Sequence, residues 1–239
     1  MHFIAETTSN GVSERLFALD DVHGVLWSPD GGGDRPLVLL GHGGGQHKRA
    51  EGLVARARRY VVDCGFAVAA IDAPGHGDRP KGERDERFAA GMKERIAAGK
   101  PVGPHVARYN EELAERVVPE WRAVLDALGV ADGPVGYWGV SLGSAIGVPL
   151  VAAEPRITAA VFGLAGHEPL ADAAARVTVP VEFLLQWDDE LVPRASALAL
   201  FDAFASREKT LHANPGRHAA VPAFEVESSQ RFFSRHLAV

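Results

Sequence analysis

Short apolar runs alternate along this chain with longer segments in which apolar residues recur at helical spacing. Apolar runs bounded by turn-forming residues are typical of buried strands, and a 3.6-residue spacing is typical of amphipathic helices. The predicted strands are Pro36–Leu40, Phe66–Asp72, Val135–Val140, Ile157–Gly163, Val181–Trp187 and Lys209–Asn214. The predicted helices are Lys48–Asp63, Tyr109–Leu128, Leu142–Ala153, Arg194–Ala205 and Ala223–His236. This alternation indicates βαβ units, so we predict an α/β fold with a mostly parallel, twisted sheet and helices on both faces.

The N-terminal part of the chain follows a different pattern. Two extended segments, Arg15–Leu19 and Val22–Trp27, are separated by Asp20 and Asp21, a pair typical of a hairpin turn. Because no helix separates the two segments, we expect them to form an antiparallel edge of the sheet. The Gly-rich stretch Asp30–Asp34 is interpreted as a turn between strands rather than a phosphate-binding loop, since it does not open a helix with the required glycine spacing.

One charged segment, Asp78–Arg108, interrupts the alternation. Its glycines, prolines and short helical pieces predict an excursion over the carboxyl edge of the sheet, a small partial cap within a single domain of residues 1–239. We expect it to shape the entrance to a site, although its many charged residues also fit a solvated pair of surface helices. Arg79, Lys81 and Arg84 would favour an anionic group, but runs of charge are usually solvated faces.

Composition narrows the class of protein and its partners. The chain has 239 residues and a formal net charge of -6, which argues against nucleic acid and anionic membranes as partners. No apolar run approaches the length of a spanning helix, and Met1–Asn10 lacks the features of a signal peptide. The single cysteine, Cys64, cannot form an internal disulfide, so we expect a cytoplasmic protein. Cys/His spacing typical of a metal site is absent from the sequence, and we predict no bound metal.

A serine in a Gly-rich turn is the first indication of chemistry. Gly139–Gly143 reads Gly-Val-Ser-Leu-Gly and lies where a buried strand ends and a helix begins, which is the context of a nucleophile elbow. Such a turn forces Ser141 into a strained backbone conformation, while the flanking glycines let strand and helix pass close together. The N-terminus of the following helix favours a developing anion. The alternative is a structural turn with an N-capping serine.

A second Gly-rich loop, Gly41–Gln46, directly follows an earlier predicted strand. An acyl-transfer intermediate carries a negative oxygen that needs preorganised N–H donors, and glycines let the backbone turn those groups toward a substrate. We assign the oxyanion hole to the backbone N–H groups of Gly44 and Leu142. Either neighbouring glycine, Gly43 or Gly45, would serve in place of Gly44.

Two adjacent aspartates are candidates for the acid of a catalytic triad. The stretch Gln186–Pro193 follows a predicted strand and carries Asp188 and Asp189. A carboxylate at such a strand end is placed to orient a histidine base. We favour Asp189, because the Asp-x-x-Val-Pro arrangement places a turn directly after it, and keep Asp188 as the alternative.

One of the ten histidines stands out as the base by its position. His218 lies in the loop between the last predicted strand and the last predicted helix, where it would take the serine proton and return it to the leaving group. His42 is interpreted as a structural residue that braces the Gly-rich loop. His76 is likewise interpreted as structural, within a tight turn that borders the pocket.

Together these residues resemble the α/β-hydrolase superfamily. The order Ser141, Asp189, His218 is the family order of nucleophile, acid and base, and the His-Gly loop at His42–Gly45 and the turn Asp72–Gly77 follow the expected strands. The resemblance implies hydrolysis of an ester, thioester or amide of a small-molecule acyl substrate, without metal or organic cofactor. The size of the chain is similar to dienelactone-hydrolase-like or acyl-peptidase-like esterases, but a dienelactone hydrolase proper has a cysteine nucleophile where this chain has serine.

The leading hypothesis is a carboxylesterase acting on a small to medium acyl substrate. Peptidase or thioesterase activity with the same residues is an alternative that aminoacyl-amide and acyl-CoA substrates would separate. Lyase or haloperoxidase chemistry on the same fold is another, and a bromination assay would detect the second of these. A non-catalytic binding module on the same fold is the alternative of a different class, although such a protein would not need to keep three triad residues. Substrate identity and oligomeric state stay open at this point.

Overall fold

The computed structural model describes residues 1–31, 35–130 and 134–237. Its strands are β1 (His2–Ser9), β2 (Val12–Leu19), β3 (Val22–Pro29), β4 (Leu37–Gly41), β5 (Ala67–Ile71), β6 (Val135–Gly139), β7 (Ile157–Gly163), β8 (Val181–Gln186) and β9 (Lys209–Asn214). Its helices are α1 (Glu51–Cys64), α2 (Glu83–Ala97), α3 (Gly103–Ala127), α4 (Leu142–Ala153), α5 (His167–Ala174), α6 (Arg194–Ala203) and α7 (Glu225–His236).

These nine strands form one sheet in the order β1-β2-β3-β5-β4-β6-β7-β8-β9. Pairing is parallel from β5 through β9 and antiparallel among β1, β2, β3 and β5. The predicted α/β fold is therefore confirmed. In a sheet of this kind the carboxyl ends of the parallel strands meet along one edge, which is where ligands usually bind.

The predicted hairpin is present at the antiparallel side, with Leu19 paired to Val22 across the turn. The edge strand, however, is β1, which the sequence analysis did not predict. Every residue of β1 is exposed, so the strand lacks the alternation of buried and exposed positions that identifies a half-buried strand. The predicted turn Asp30–Asp34 lies partly outside the described residues.

Successive side chains of the central strands enter two separate hydrophobic layers. In β4, Leu37 and Leu39 belong to the layer under α3, α4, α5 and α6, whereas Val38 and Leu40 belong to the layer under α1 and α7. Because strand side chains alternate between faces, a strand with helices on both sides must be apolar throughout. This explains why β4 is buried at all five positions and why its pattern was readable from the sequence.

The charged segment 78–108 contains α2 and the beginning of α3, which starts at Gly103 rather than at the predicted Tyr109. Its two ends approach the carboxyl edge of the sheet. A side chain on Gly75, in the turn after β5, would meet the Asp85 carboxylate at 2.7 Å, and one on Gly103 would lie 4.0 Å from the Leu191 carbonyl in the loop after β8. The segment therefore lies beside this edge.

The short helix α5 was also not predicted, since it has eight residues and contains Pro169. Among the helices of the described ranges, none combines the length and apolarity needed to cross a membrane.

Candidate active site

Ser141 lies in the sharp turn between β6 and α4. Its backbone dihedrals are φ 57° and ψ -117°, a region that non-glycine residues rarely occupy and that costs about 1–3 kcal/mol. The surrounding structure holds this conformation, since the Ser141 N–H donates to the Gly163 carbonyl at 2.9 Å. The strained turn predicted from the Gly-Val-Ser-Leu-Gly pattern is therefore present.

The two glycines of the turn are required by close backbone approaches. A Cβ on Gly139 would lie 2.8 Å from the Gly143 backbone, and a Cβ on Gly143 would lie 2.6 Å from the Gly41 carbonyl oxygen in β4. The buried Tyr137 hydroxyl donates to the Gly143 carbonyl at 2.6 Å. Strand, turn and helix are thus locked against the neighbouring strand, which fixes the direction of the Ser141 side chain.

Ser144, on the first turn of α4, ties the elbow to β7. Its fully buried hydroxyl lies 2.7 Å from the carbonyl oxygens of Gly139 and Gly163 and accepts the Gly163 N–H at 2.8 Å. This role could not be predicted from the sequence, because a serine on an otherwise apolar helix has many possible partners.

The structure brings Ser141, His218 and Asp189 into one hydrogen-bonded chain. His218 Nε2 lies 3.0 Å from Ser141 Oγ, and His218 Nδ1 lies 2.8 Å from Asp189 Oδ2. The base and the acid are largely shielded from solvent, with 13% of the His218 side chain and 3% of the Asp189 side chain exposed. With Nδ1–H donating to the carboxylate, Nε2 is left to accept the serine proton.

The two candidate acids differ in the contacts that their carboxylates make. Besides His218, the Asp189 carboxylate accepts the backbone N–H groups of Leu191 and Val192 at 2.8 and 2.9 Å. These bonds fix the carboxylate in the turn that the sequence predicts after it. The Asp188 carboxylate faces elsewhere and lies 3.4 Å from the Gly216 amide.

Gln186, the last residue of β8, organises the loop that carries His218. Its buried side-chain amide donates to the Ala220 carbonyl at 2.9 Å and approaches the carbonyls of Pro215 and Arg217 at 3.4 and 3.3 Å. One side chain thus holds the loop on both sides of the base. This role of Gln186 was not predictable from the sequence, since the contacts join positions about thirty residues apart.

Glu190 holds the same loop from the solvent side. Its carboxylate accepts the His218 backbone N–H at 3.0 Å and pairs with Arg217 at 3.3 Å. The hydrogen bond from the His218 backbone, together with Arg217, lowers the pKa of Glu190 to about 2. The carboxylate therefore stays ionised, and able to accept this bond, throughout the neutral and mildly acidic range.

The Gly-rich loop lies next to the elbow, as the Gly41–Gly143 contact shows. The Gly43 N–H lies 3.3 Å from the Gln46 side-chain oxygen, so it is engaged within the loop. Gly44 is exposed, with open space where a side chain would be. Leu142 opens α4, and its N–H belongs to the first turn of that helix, where backbone donors are free of intrahelical partners.

His42 braces this loop as a neutral imidazole. Its Nδ1 lies 2.9 Å from the Gly43 carbonyl and its Nε2 accepts the Ala73 N–H at 3.0 Å, so the proton is on Nδ1. Burial lowers the pKa of His42 to about 4. The ring packs 5.1 Å from that of His76. Both histidines thus occupy structural positions in the turns beside the elbow.

A buried ion pair joins the same two turns. Asp72, at the end of β5, is fully buried and accepts the Lys48 N–H at 2.7 Å, the Lys48 ammonium at 2.6 Å and the Asp78 N–H at 3.0 Å. The Lys48 ammonium also pairs with the Asp78 carboxylate. A buried carboxylate with this many donors is fully compensated, so the pair fixes the loop ends rather than offering a reactive group.

The basic residues of the 78–108 segment do not act alike. Arg79 is buried and pairs with Glu120 through two hydrogen bonds of 2.7 and 2.8 Å, so it is not free to hold an anionic group. Arg84 lies over the Tyr109 ring and pairs with Asp85 at 3.1 Å.

Comparison with known proteins places this arrangement in context. No protein-family model matches the chain, and a search of curated proteins found no match. A polyethylene-glycol-bound cold-adapted esterase from an Arctic intertidal metagenomic library is 35% identical, with a TM-score of 0.79 over 99% of this chain and 100% of that one. A zinc-bound structure of a cold-adapted esterase from such a library is 32% identical, with a TM-score of 0.76 over the same shares.

A more distant likeness concerns the fold alone. An acetyl xylan esterase from Paenibacillus sp. R4 is 15% identical, with a TM-score of 0.71 over 99% of this chain and 88% of that one.

Proposed function

The chain belongs to the α/β-hydrolase family, and from this premise we propose that it is a carboxylesterase that cleaves small to medium esters through an acyl-enzyme on Ser141. The observation that carries the proposal is the hydrogen-bonded chain from Ser141 through His218 to Asp189, with distances of 3.0 and 2.8 Å. The relative at 35% identity is an esterase, which supports ester rather than amide hydrolysis.

The first half of the reaction forms the acyl-enzyme. His218 Nε2 takes the proton of Ser141 as its oxygen attacks the ester carbonyl, and the Asp189 carboxylate stabilises the imidazolium that results. The backbone N–H groups of Gly44 and Leu142 receive the developing oxyanion, a contribution of about 3–4 kcal/mol for each good donor. His218 then returns the proton to the departing alcohol as the C–O bond breaks.

The second half releases the acid. A water molecule attacks the acyl carbon while His218 Nε2 accepts its proton, and the same two N–H groups stabilise the second tetrahedral intermediate. Collapse of this intermediate breaks the bond to Ser141, whose oxygen recovers the proton from His218. These steps use protein groups and water only.

The surroundings of the triad support a role in substrate entry for the 78–108 segment, which we include in the proposal as a partial cap. Its ends contact the turns after β5 and β8, which border the triad. Trp187 and Leu191 are large apolar residues that flank Asp189 and are 47% and 51% exposed. Exposed apolar surface beside a reactive centre favours an acyl or alcohol group of apolar character.

Cytoplasmic localisation is also part of the proposal. It is supported by the single cysteine, Cys64, since a chain with one cysteine gains no internal disulfide from an oxidising compartment.

A covalent probe tests the proposal directly. A fluorophosphonate should label the wild-type protein and leave Ser141→Ala unlabelled, and wild type should hydrolyse short p-nitrophenyl esters while Ser141→Ala does not. The Ser9→Ala variant, at an exposed position of β1, is the matched control and should keep its labelling at Ser141. Absence of both labelling and esterase activity in a folded wild-type protein would contradict the proposal.

A further inference from the structure

Away from the triad, two carboxylates and an imidazole converge on the face of the sheet that α7 covers. Glu182 comes from β8, His212 from β9 and Glu225 from the start of α7. One ligand atom from each residue lies within 4.8 Å of the others. His212 Nδ1 is 2.9 Å from Glu225 Oε2, and His212 Nε2 is 3.8 Å from Glu182 Oε2.

The second carboxylate oxygen of Glu182 lacks a partner among the described residues. Glu182 Oε1 is buried and has no hydrogen-bond donor within the part of the chain that the structure describes, and 5% of the Glu182 side chain is exposed. A buried carboxylate oxygen without a donor costs about 1–3 kcal/mol or more, so such an atom indicates a proton or a cation that completes the site.

The other oxygens of the two carboxylates are held by the protein. Ser228 Oγ–H donates to Glu182 Oε2 at 3.1 Å, and Asn214 Nδ2–H donates to Glu225 Oε1 at 2.7 Å. Hydrogen bonds of this kind orient carboxylates that ligate metals. Each carboxylate therefore has one oxygen fixed by a donor and another turned toward the cluster or left without a partner.

The local charge also favours a cation. Glu182 and Glu225 place two carboxylates in a buried position, with 5% and 1% of their side chains exposed. The Arg56 guanidinium is committed to Tyr60 and Ser229 through hydrogen bonds of 3.2 and 2.8 Å. A divalent ion would neutralise both carboxylates. A single proton shared with His212 would neutralise the pair only in part.

From these observations we propose that Glu182, His212 and Glu225 bind a divalent transition-metal ion, for which Zn²⁺ is the representative. Ligand atoms around a tetrahedral zinc lie about 3.3 Å apart, given metal–ligand distances near 2.0–2.2 Å. One ligand atom from each of the three residues lies within 4.8 Å of the others, so small side-chain rotations bring them to this spacing around an ion. The imidazole favours zinc and similar ions over calcium or magnesium, which prefer oxygen ligands.

The position of His212 indicates how an ion reaches the site and what effect the bound ion has. His212 lies on β9, the strand at the opposite edge of the sheet from β1. A quarter of its side chain is exposed, so an ion and its completing water ligand enter from that side. The bound ion links β8 and β9 to α7. The two strands precede the loops that carry Asp189 and His218, and α7 follows those loops. The site is therefore structural, and its occupancy raises the thermal stability of the protein.

Isothermal titration of EDTA-stripped wild-type protein with ZnCl2 at pH 7.5 tests the site. One equivalent should bind, with a rise in Tm of about 5–10 °C at saturating zinc. Glu182→Gln keeps the size of the side chain and the acceptor for Ser228 but should bind zinc about 100-fold more weakly. The matched control His218→Gln removes an imidazole that pairs with a carboxylate elsewhere, Asp189, and should still bind one equivalent.

A second measurement needs no variant. Co²⁺ added to stripped wild type should give visible d–d absorption typical of a four- or five-coordinate site, and Zn²⁺ should abolish it. The proposal is overturned if wild type binds less than one equivalent of zinc, if Glu182→Gln binds as tightly as wild type, if His218→Gln abolishes binding, or if no d–d absorption develops. All four outcomes are independent of esterase activity, so they leave the proposed function unaffected.

Discussion

Acid should destabilise this protein through one buried imidazole, that of His42. Burial lowers the pKa of His42 from 6.5 to about 4. Between these two pH values the unfolded chain takes up a proton that the folded chain does not. The stabilising contribution is therefore complete above pH 6.5 and is lost as the pH falls toward 4.

The magnitude follows from the same two values. One proton taken up by the unfolded state alone changes the free energy of unfolding by about 1.4 kcal/mol per pH unit. Over the interval from 6.5 to about 4 this amounts to a loss of about 3 kcal/mol, a large fraction of the ~5–15 kcal/mol that stabilises a typical protein. Protonation also removes the acceptor for the Ala73 N–H, so the Gly-rich loop loses its brace at the same time.

Urea unfolding followed by tryptophan fluorescence, between pH 7.5 and 4, measures this effect. His42→Gln supplies an amide oxygen for the Ala73 N–H but does not titrate. The wild type should lose about 3 kcal/mol more of its free energy of unfolding than the variant over this range, whereas His47→Gln, an exposed histidine of the same loop, should retain the wild-type pH dependence. Parallel curves for wild type and His42→Gln would refute the reasoning.

Three further predictions concern the triad and its supports. Asp189→Asn should lower kcat about 10⁴-fold, because it removes the acceptor that sets the His218 tautomer. The kcat of Asp188→Asn should stay close to that of wild type. Equal losses of kcat in p-nitrophenyl ester assays would contradict the assignment of Asp189 as the acid. Gln186→Leu should lower kcat by about 100-fold with a smaller change in KM, since the base loop shifts, and unchanged kcat would exclude a positioning role. Gly143→Ala should cost about 1–3 kcal/mol in urea unfolding, because its Cβ would lie 2.6 Å from a backbone oxygen of β4; Gly52→Ala, with open space around it, should not destabilise the protein.

The fold was predictable where the physical signal is local. β7 and β9 have the bounds predicted for them, Ile157–Gly163 and Lys209–Asn214. The predicted bounds of α4, Leu142–Ala153, also match, because apolar residues fill the helix from its start and a proline follows its end. β1 was missed because a strand exposed on both faces has no periodicity, and α5 because eight residues around a proline give too short a pattern.

The residues of the candidate site likewise fall into two groups, those that local sequence indicates and those that only the fold brings together. Ser141 and His218 could be nominated from the sequence because position relative to strands and helices singles them out, and the structure brings their side chains within 3.0 Å. Asp189 was favoured over Asp188 from the Asp-x-x-Val-Pro arrangement, and the folded loop shows the contacts that this arrangement makes, two backbone N–H groups on the Asp189 carboxylate. The supports of the site, Gln186 and the Lys48–Asp72 pair, depend on contacts between distant segments, for which one sequence holds no signal.

The same reason explains why the sequence does not indicate the proposed metal site. Metal motifs are recognised in sequence when two ligands lie within a few residues of each other. Glu182, His212 and Glu225 come from three different elements and form a cluster only because β8 and β9 are neighbours in the sheet.

That pairing of β8 with β9 continues beyond the strands. It holds the acid and base loops together, whereas the nucleophile is held separately. The Trp187 N–H donates to the Asn214 carbonyl at 2.7 Å, and the Asp188 N–H donates to the Gly216 carbonyl at 3.1 Å. Acid and base are thus carried on one continuous ladder, while the nucleophile is carried on β6, with β7 between them. Thermal motion should therefore separate His218 from Ser141 more readily than from Asp189. The serine–histidine hydrogen bond is then the one whose population sets how activity responds to temperature.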